Sequence, residues 1–66
     1  MSRSFWMEGL LWAEKEAKDF MKDGHPKQYA IVMLRNMYIM GCSSNHEWLE
    51  GLMAYVEHLE SKNIKN

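Results

Sequence analysis

The residues best equipped for chemistry stand close together: a single thiol, Cys42, is followed by His46 and Glu50. A thiol just ahead of a helix N-terminus is made more acidic by the free N–H groups there, and the thiolate is its reactive form. A Cys-His nucleophilic site also needs an orienting group and an oxyanion hole, and no further residues in the sequence supply them. The same three residues could approach a metal ion, since His46 and Glu50 have the one-turn spacing of helical ligands. The string HEWLE, however, lacks the second histidine that makes HExxH informative. The expectation is therefore no catalytic residue, no metal and no cofactor, with Cys42 an ordinary small thiol and His25 and His58 solvated.

A second chemistry is anion binding. GCSSN gathers serine hydroxyls and free backbone N–H groups at the start of a helix, and Arg35 is the one charge within an apolar stretch upstream. Arg35, Ser43, Ser44 and Asn45 could thus hold a small anionic ligand such as a nucleotide between subunits of a homo-oligomer. Ordinary helix capping explains the same residues with fewer assumptions. Nucleic acid is not expected as a partner. Lys15, Lys18 and Lys22 share one side of the first helix, but the third helix, which would have to read bases, is acidic. A formal net charge of -1 likewise creates no broad field toward nucleic acid or an acidic membrane.

These residues must be positioned by helices. Ser4 is a plausible N-cap, and Trp6, Leu10, Ala13, Ala17 and Phe20 recur at helical spacing, with Met7, Leu11 and Met21 widening the stripe. Gly24 and Pro26 end this helix, placing it at 5–22. Phe5 and Trp12 fall outside the stripe, among Glu8, Glu16 and Asp19, and mark an aromatic partner surface. A second helix is expected over 26–40, with Pro26 in its first turn and Gly41 as its stop. Its segment YAIVMLRNMYIM is apolar except for Arg35 and Asn36, so it is greasy nearly all round. Its β-branched and aromatic residues also suit a hairpin turning at Arg35 and Asn36, but that turn lacks the Gly or Asn-Gly that a two-residue hairpin requires. Ser44 and Glu47 read as a capping box for a third helix over 45–62, with Trp48, Leu49, Leu52, Tyr55, Val56 and Leu59 on its apolar face. The closing KNIKN reads as a polar tail.

The first and third helices echo each other. WMEGLL from Trp6 and WLEGLM from Trp48 share Trp, Glu, Gly and Leu, forty-two residues apart. Small residues in one copy, Ala13 and Ala17, fall where Tyr55 and Leu59 stand in the other, as interdigitating helices require. Gly9 and Gly51 each cost about 1 kcal/mol in a helix interior relative to Ala, which points to close backbone approach beside each Trp.

At 66 residues the chain is a single all-α domain, a small three-helix bundle. A domain of this size buries only about 60% of the surface its unfolded chain exposes. One cysteine excludes an internal disulfide, so completion of the bundle by a homodimer or higher homo-oligomer through the apolar second helix is expected. No signal-peptide pattern or membrane-length apolar run stands out, and one free thiol suits a reducing, cytoplasmic setting, with no membrane partner. Seven methionines suit adaptable contact surfaces.

The function expected from these features is that of a small non-enzymatic protein of the inhibitor or adaptor type, which occupies an unidentified partner protein's surface. Phe5, Trp12, Met33 and Met37 are its expected anchors. In size and methionine content the chain is similar to the small accessory and host-inhibiting proteins that bacteriophages encode, and that resemblance implies an accessory or anti-host-defence role.

Overall fold

The computed structural model describes residues 4–63, with side chains as far as Ser61. Three helices account for nearly all of them: α1 (Phe5–Lys22), α2 (Lys27–Met40) and α3 (His46–Asn63). The all-α three-helix bundle is thus the fold, and α2 is helical through Arg35 and Asn36, where a hairpin would have had to turn. The part of the expected polar tail from residue 64 onward lies outside the described residues.

Local chemistry sets the boundaries. The Ser4 hydroxyl accepts the Met7 N–H at 3.1 Å, closing the start of α1. At its end Gly24 takes φ 99°, and the N–H groups of Gly24 and His25 return to the carbonyls of Met21 and Phe20, each at 3.1 Å. That pair of bonds is a Schellman stop, and it needs a residue that tolerates positive φ. The same device ends α2, where Gly41 has φ 68° and the Cys42 N–H reaches the Met37 carbonyl at 3.1 Å.

Two boundaries differ from expectation. Pro26 stands just outside α2, its carbonyl accepting the N–H groups of Tyr29 and Ala30. The cap of α3 is Asn45, whose Oδ1 accepts the Trp48 N–H at 3.0 Å, in place of the expected Ser44 and Glu47 box. Ser43 secures this arrangement, its hydroxyl accepting the Asn45 N–H at 3.1 Å. Asn caps a helix as well as Ser does, and here it is also held in place from behind.

Helices α1 and α3 run parallel. Near their starts Trp12 meets Trp48 with ring centroids 5.2 Å apart, and farther along Tyr55 lies beside Glu14 and Lys18. Their closest approach is made by the two echoing segments. A Cβ on Gly9 would overlap the Trp48 carbonyl, at 2.8 Å from its carbon, and a Cβ on Gly51 would overlap the Trp6 carbonyl at the same 2.8 Å. Each glycine thus faces the backbone of the other helix's Trp, and a local twofold axis relates the two contacts. Gly9, Ala13 and Ala17 are buried in α1 and form the small-residue row that lets α3 come this close.

Helix α2 then covers one side of this pair. It starts at the far end of α1, where Tyr29 meets Phe20 edge-on at 5.3 Å and stacks on His25 at 4.0 Å. Ala30, Ile31 and Leu34 enter the core beside Leu52, Val56 and Leu59. Among the residues whose side chains are described, no polar or charged side chain is buried.

The relocated cap is testable in urea. Asn45→Ala should lower stability by about 1 kcal/mol, while Ser44→Ala should change it by no more than a few tenths. The reverse ranking would restore Ser44 as the cap.

Candidate interaction surface

The pseudo-twofold allows each position of α1 to be compared with its counterpart in α3. Leu49 is 7% exposed where its counterpart Met7 is 38% exposed, and buried Val56 corresponds to partly exposed Glu14. The two helices share one pattern, but α2, which packs against both, fills only one of the two grooves between them, the one on the side of Leu49 and Val56. The matching flank of α1 has no covering helix, and Met7 and Leu11 remain open to solvent there.

Large apolar side chains are exposed in two places. The first two turns of α1 show Phe5, Trp6, Met7 and Leu11, and α2 shows Val32, Tyr38, Ile39 and Met40. Phe5 at 55%, Ile39 at 70% and Met40 at 81% are the most open. The comparatively exposed Trp6 corrects the expectation that it lies in the core stripe. At the first turn α3 meets the backbone of α1, so the Trp6 carbonyl faces Gly51 and the indole is left near the surface.

The four expected anchors separate. Phe5 is exposed, whereas Trp12 is half-buried against Trp48 and packs on the core. Met33 and Met37 are half-buried, and Met37 also packs on the core. Trp6, Met7, Leu11 and the end of α2 were not singled out from sequence. Comparing the two echoing helices position by position carried the signal for Met7 and Leu11, but only the placement of α2 decides which copy is covered.

The residues considered for an anionic ligand lie apart. Arg35 is paired with Glu60, well along α3, whereas Ser43 and Asn45 are engaged at its first turn. Fifteen residues of helix separate Asn45 from Glu60, which is about 22 Å at 1.5 Å per residue. Ser44 is exposed beside the cap. Cys42 is exposed with a free thiol, and among the described residues no three His, Cys, Asp or Glu side chains are grouped to hold a metal ion. No described helix is long and apolar enough to cross a membrane.

Beyond Leu11 the open flank of α1 becomes charged. A shallow groove there is lined by Leu11, Glu14, Lys15, Lys18 and Asp19, and Lys18 pairs with Glu14 at 3.0 Å. That hydrogen bond, reinforced by the carboxylate charge, raises the Lys18 pKa. Burial pushes the Tyr55 hydroxyl above its ordinary value, Glu14 adds to the shift and Lys18 opposes it. No family model, curated protein or solved structure matches the chain.

Tyr55 gives the packing of this flank a pH signature. Its raised native pKa means that the folded chain keeps the proton to higher pH than the unfolded chain does. The associated stability is complete below the unfolded value of about 10 and is lost as pH rises through the native one. A phenolate absorbance titration of wild type minus Tyr55→Phe should therefore be centred above the ordinary tyrosine value. A difference centred at or below it contradicts the burial of this hydroxyl against α1.

Proposed function

We propose that the protein is a non-enzymatic binding protein of the inhibitor or adaptor type, and that it occupies the surface of another protein with the first two turns of α1. The observation that carries this reading is the exposure of Phe5, Trp6, Met7 and Leu11 within one short stretch. Aromatic side chains and methionine are the types enriched at protein interfaces, and a few such anchors supply most of the binding energy. Single exposed apolar residues are common on any protein, whereas here four large ones fall within two turns, Met7 and Leu11 about 40° apart round the helix and Phe5 and Trp6 at its start. Glu8 lies exposed within the same stretch and Lys15 one turn beyond it, and both provide charges for its rim.

Support also comes from what holds this end of the helix. The Gly9 contact and the Ser4 cap fix the backbone beneath the four side chains, so little order has to be gained on binding. Trp12 is set aside as a probe, because removing an indole packed against Trp48 and the core would disturb the fold as well as any interface.

The double variant Phe5→Ala, Leu11→Ala separates binding from stability. Its urea midpoint should stay close to wild type, since both side chains lie outside the buried core. Affinity capture with the tagged chain from its native cells should recover a protein partner that this variant binds about tenfold or more weakly. A partner held equally well by the variant would contradict the proposal. So would a capture that yields only small anionic molecules whose binding is lost with Arg35→Ala.

A further inference from the structure

The outer side of α2 carries a second apolar surface, distinct in chemistry from the start of α1. Val32, Asn36 and Ile39 recur at spacings of four and three, Met40 lies beside Ile39, and all four are exposed. Half-buried Tyr29 continues the series three residues earlier. This is the heptad spacing of a helix that meets another helix lengthwise. We propose that the occupant of this stripe is α2 of a second copy, so that the protein forms a homodimer across a twofold axis.

Charge is the first argument for a copy of itself. Helix α2 has only Lys27 and Arg35 as charged residues, and Arg35 is turned to Glu60 of its own chain. The stripe from Val32 to Met40 therefore has no charge of its own. A twofold interface sets the same patch against itself, so any net charge in it meets its like. A neutral stripe avoids that cost, whereas the start of α1 carries Glu8 among its apolar residues, which a twofold contact there would set near its own copy.

Asn36 is the second argument. It is a polar side chain set midway along an otherwise apolar stripe, where its amide can both donate to and accept from the same group on a second copy. A lone Asn in a helical seam fixes register and partner number in this way, at some cost in affinity.

Area sets the strength. The chain exposes 4592 Å² in total, close to the roughly 4,400 Å² expected of a folded monomer of its mass. The monomer is thus already compact, and the dimer rests on this stripe alone. A helix of 14 residues spans about 21 Å and offers less than the ~800 Å² per partner of a standard interface. The association is accordingly expected to be weak and reversible.

Light scattering on the full chain under reducing conditions, from micromolar to millimolar concentration, tests this. The mass should rise from 7.9 kDa toward twice that value, and Val32→Lys with Ile39→Lys should hold it at the monomer with an unchanged helical circular dichroism spectrum. Should the lysine pair unfold the chain, Asn36→Cys in a Cys42→Ser background provides the second measurement. It should oxidise to a covalent dimer, while Ser61→Cys in the same background should not. Phe5→Ala, Leu11→Ala should dimerise like wild type, so failure of the partner surface on α1 would leave this result unaffected. A wild-type mass that stays monomeric to millimolar concentration overturns the homodimer and leaves the stripe for a different occupant. A dimer undisturbed in a folded lysine variant, or dependent on Phe5 and Leu11, overturns the assignment to α2.

Discussion

The whole bundle depends on a backbone contact between two parallel helices. Gly9 lies against the carbonyl of Trp48 and Gly51 against the carbonyl of Trp6, with no room at either place for a Cβ. The hydrogen that replaces the side chain points at a carbonyl oxygen, which is the geometry of a weak Cα–H···O contact. The larger effect is proximity. At this separation the alanines of α1 and the large apolar residues of α3 interlock, and Ala13, Ala17, Leu52 and Val56 lose all contact with solvent.

A pair built this way has two equivalent flanks, and the chain has only one more helix to cover them. Helix α2 fills one of them, packing on both α1 and α3, and on that side Leu49, Val56 and Leu59 are buried. The other flank is partly compensated by composition. Val56 is matched on α1 by Glu14, which is satisfied by Lys18, so half of that flank tolerates water. Met7 and Leu11 have no such replacement. The same shortage of cover leaves the outer side of α2 bare. The two surfaces proposed for a partner and for a second copy are thus consequences of one arrangement.

Sequence patterns reached the helices because their ends are local. Ser4, Gly24 and Gly41 act on neighbours within one turn, and each does what its residue type predicts. The third N-terminus was harder to place, since Ser44 and Asn45 are adjacent and competent, and the choice between them rests on the Ser43 hydroxyl bracing Asn45. The glycines were legible in a different way. An internal glycine beside a tryptophan, repeated twice, signals close approach, though sequence does not say that each would face the other's carbonyl. What was not legible is which flank is covered. Trp12 falls outside the apolar stripe of its helix and Met7 belongs to its widened edge, yet Trp12 packs on Trp48 and Met7 stays open. That difference arises from where a third helix lies, and a stripe on α1 alone carries no record of it.

The backbone contact itself is best tested by urea unfolding of Gly9→Ala, Gly51→Ala and the double variant. In an ordinary helix interior each change would stabilise by about 1 kcal/mol. Here each single change should instead destabilise by roughly 1–3 kcal/mol, because the new methyl meets main chain that cannot rotate away. The double variant should lose less than the sum of the two, since helices parted by the first methyl accommodate the second. A gain in stability from either alanine would contradict the close crossing on which the rest of the fold stands.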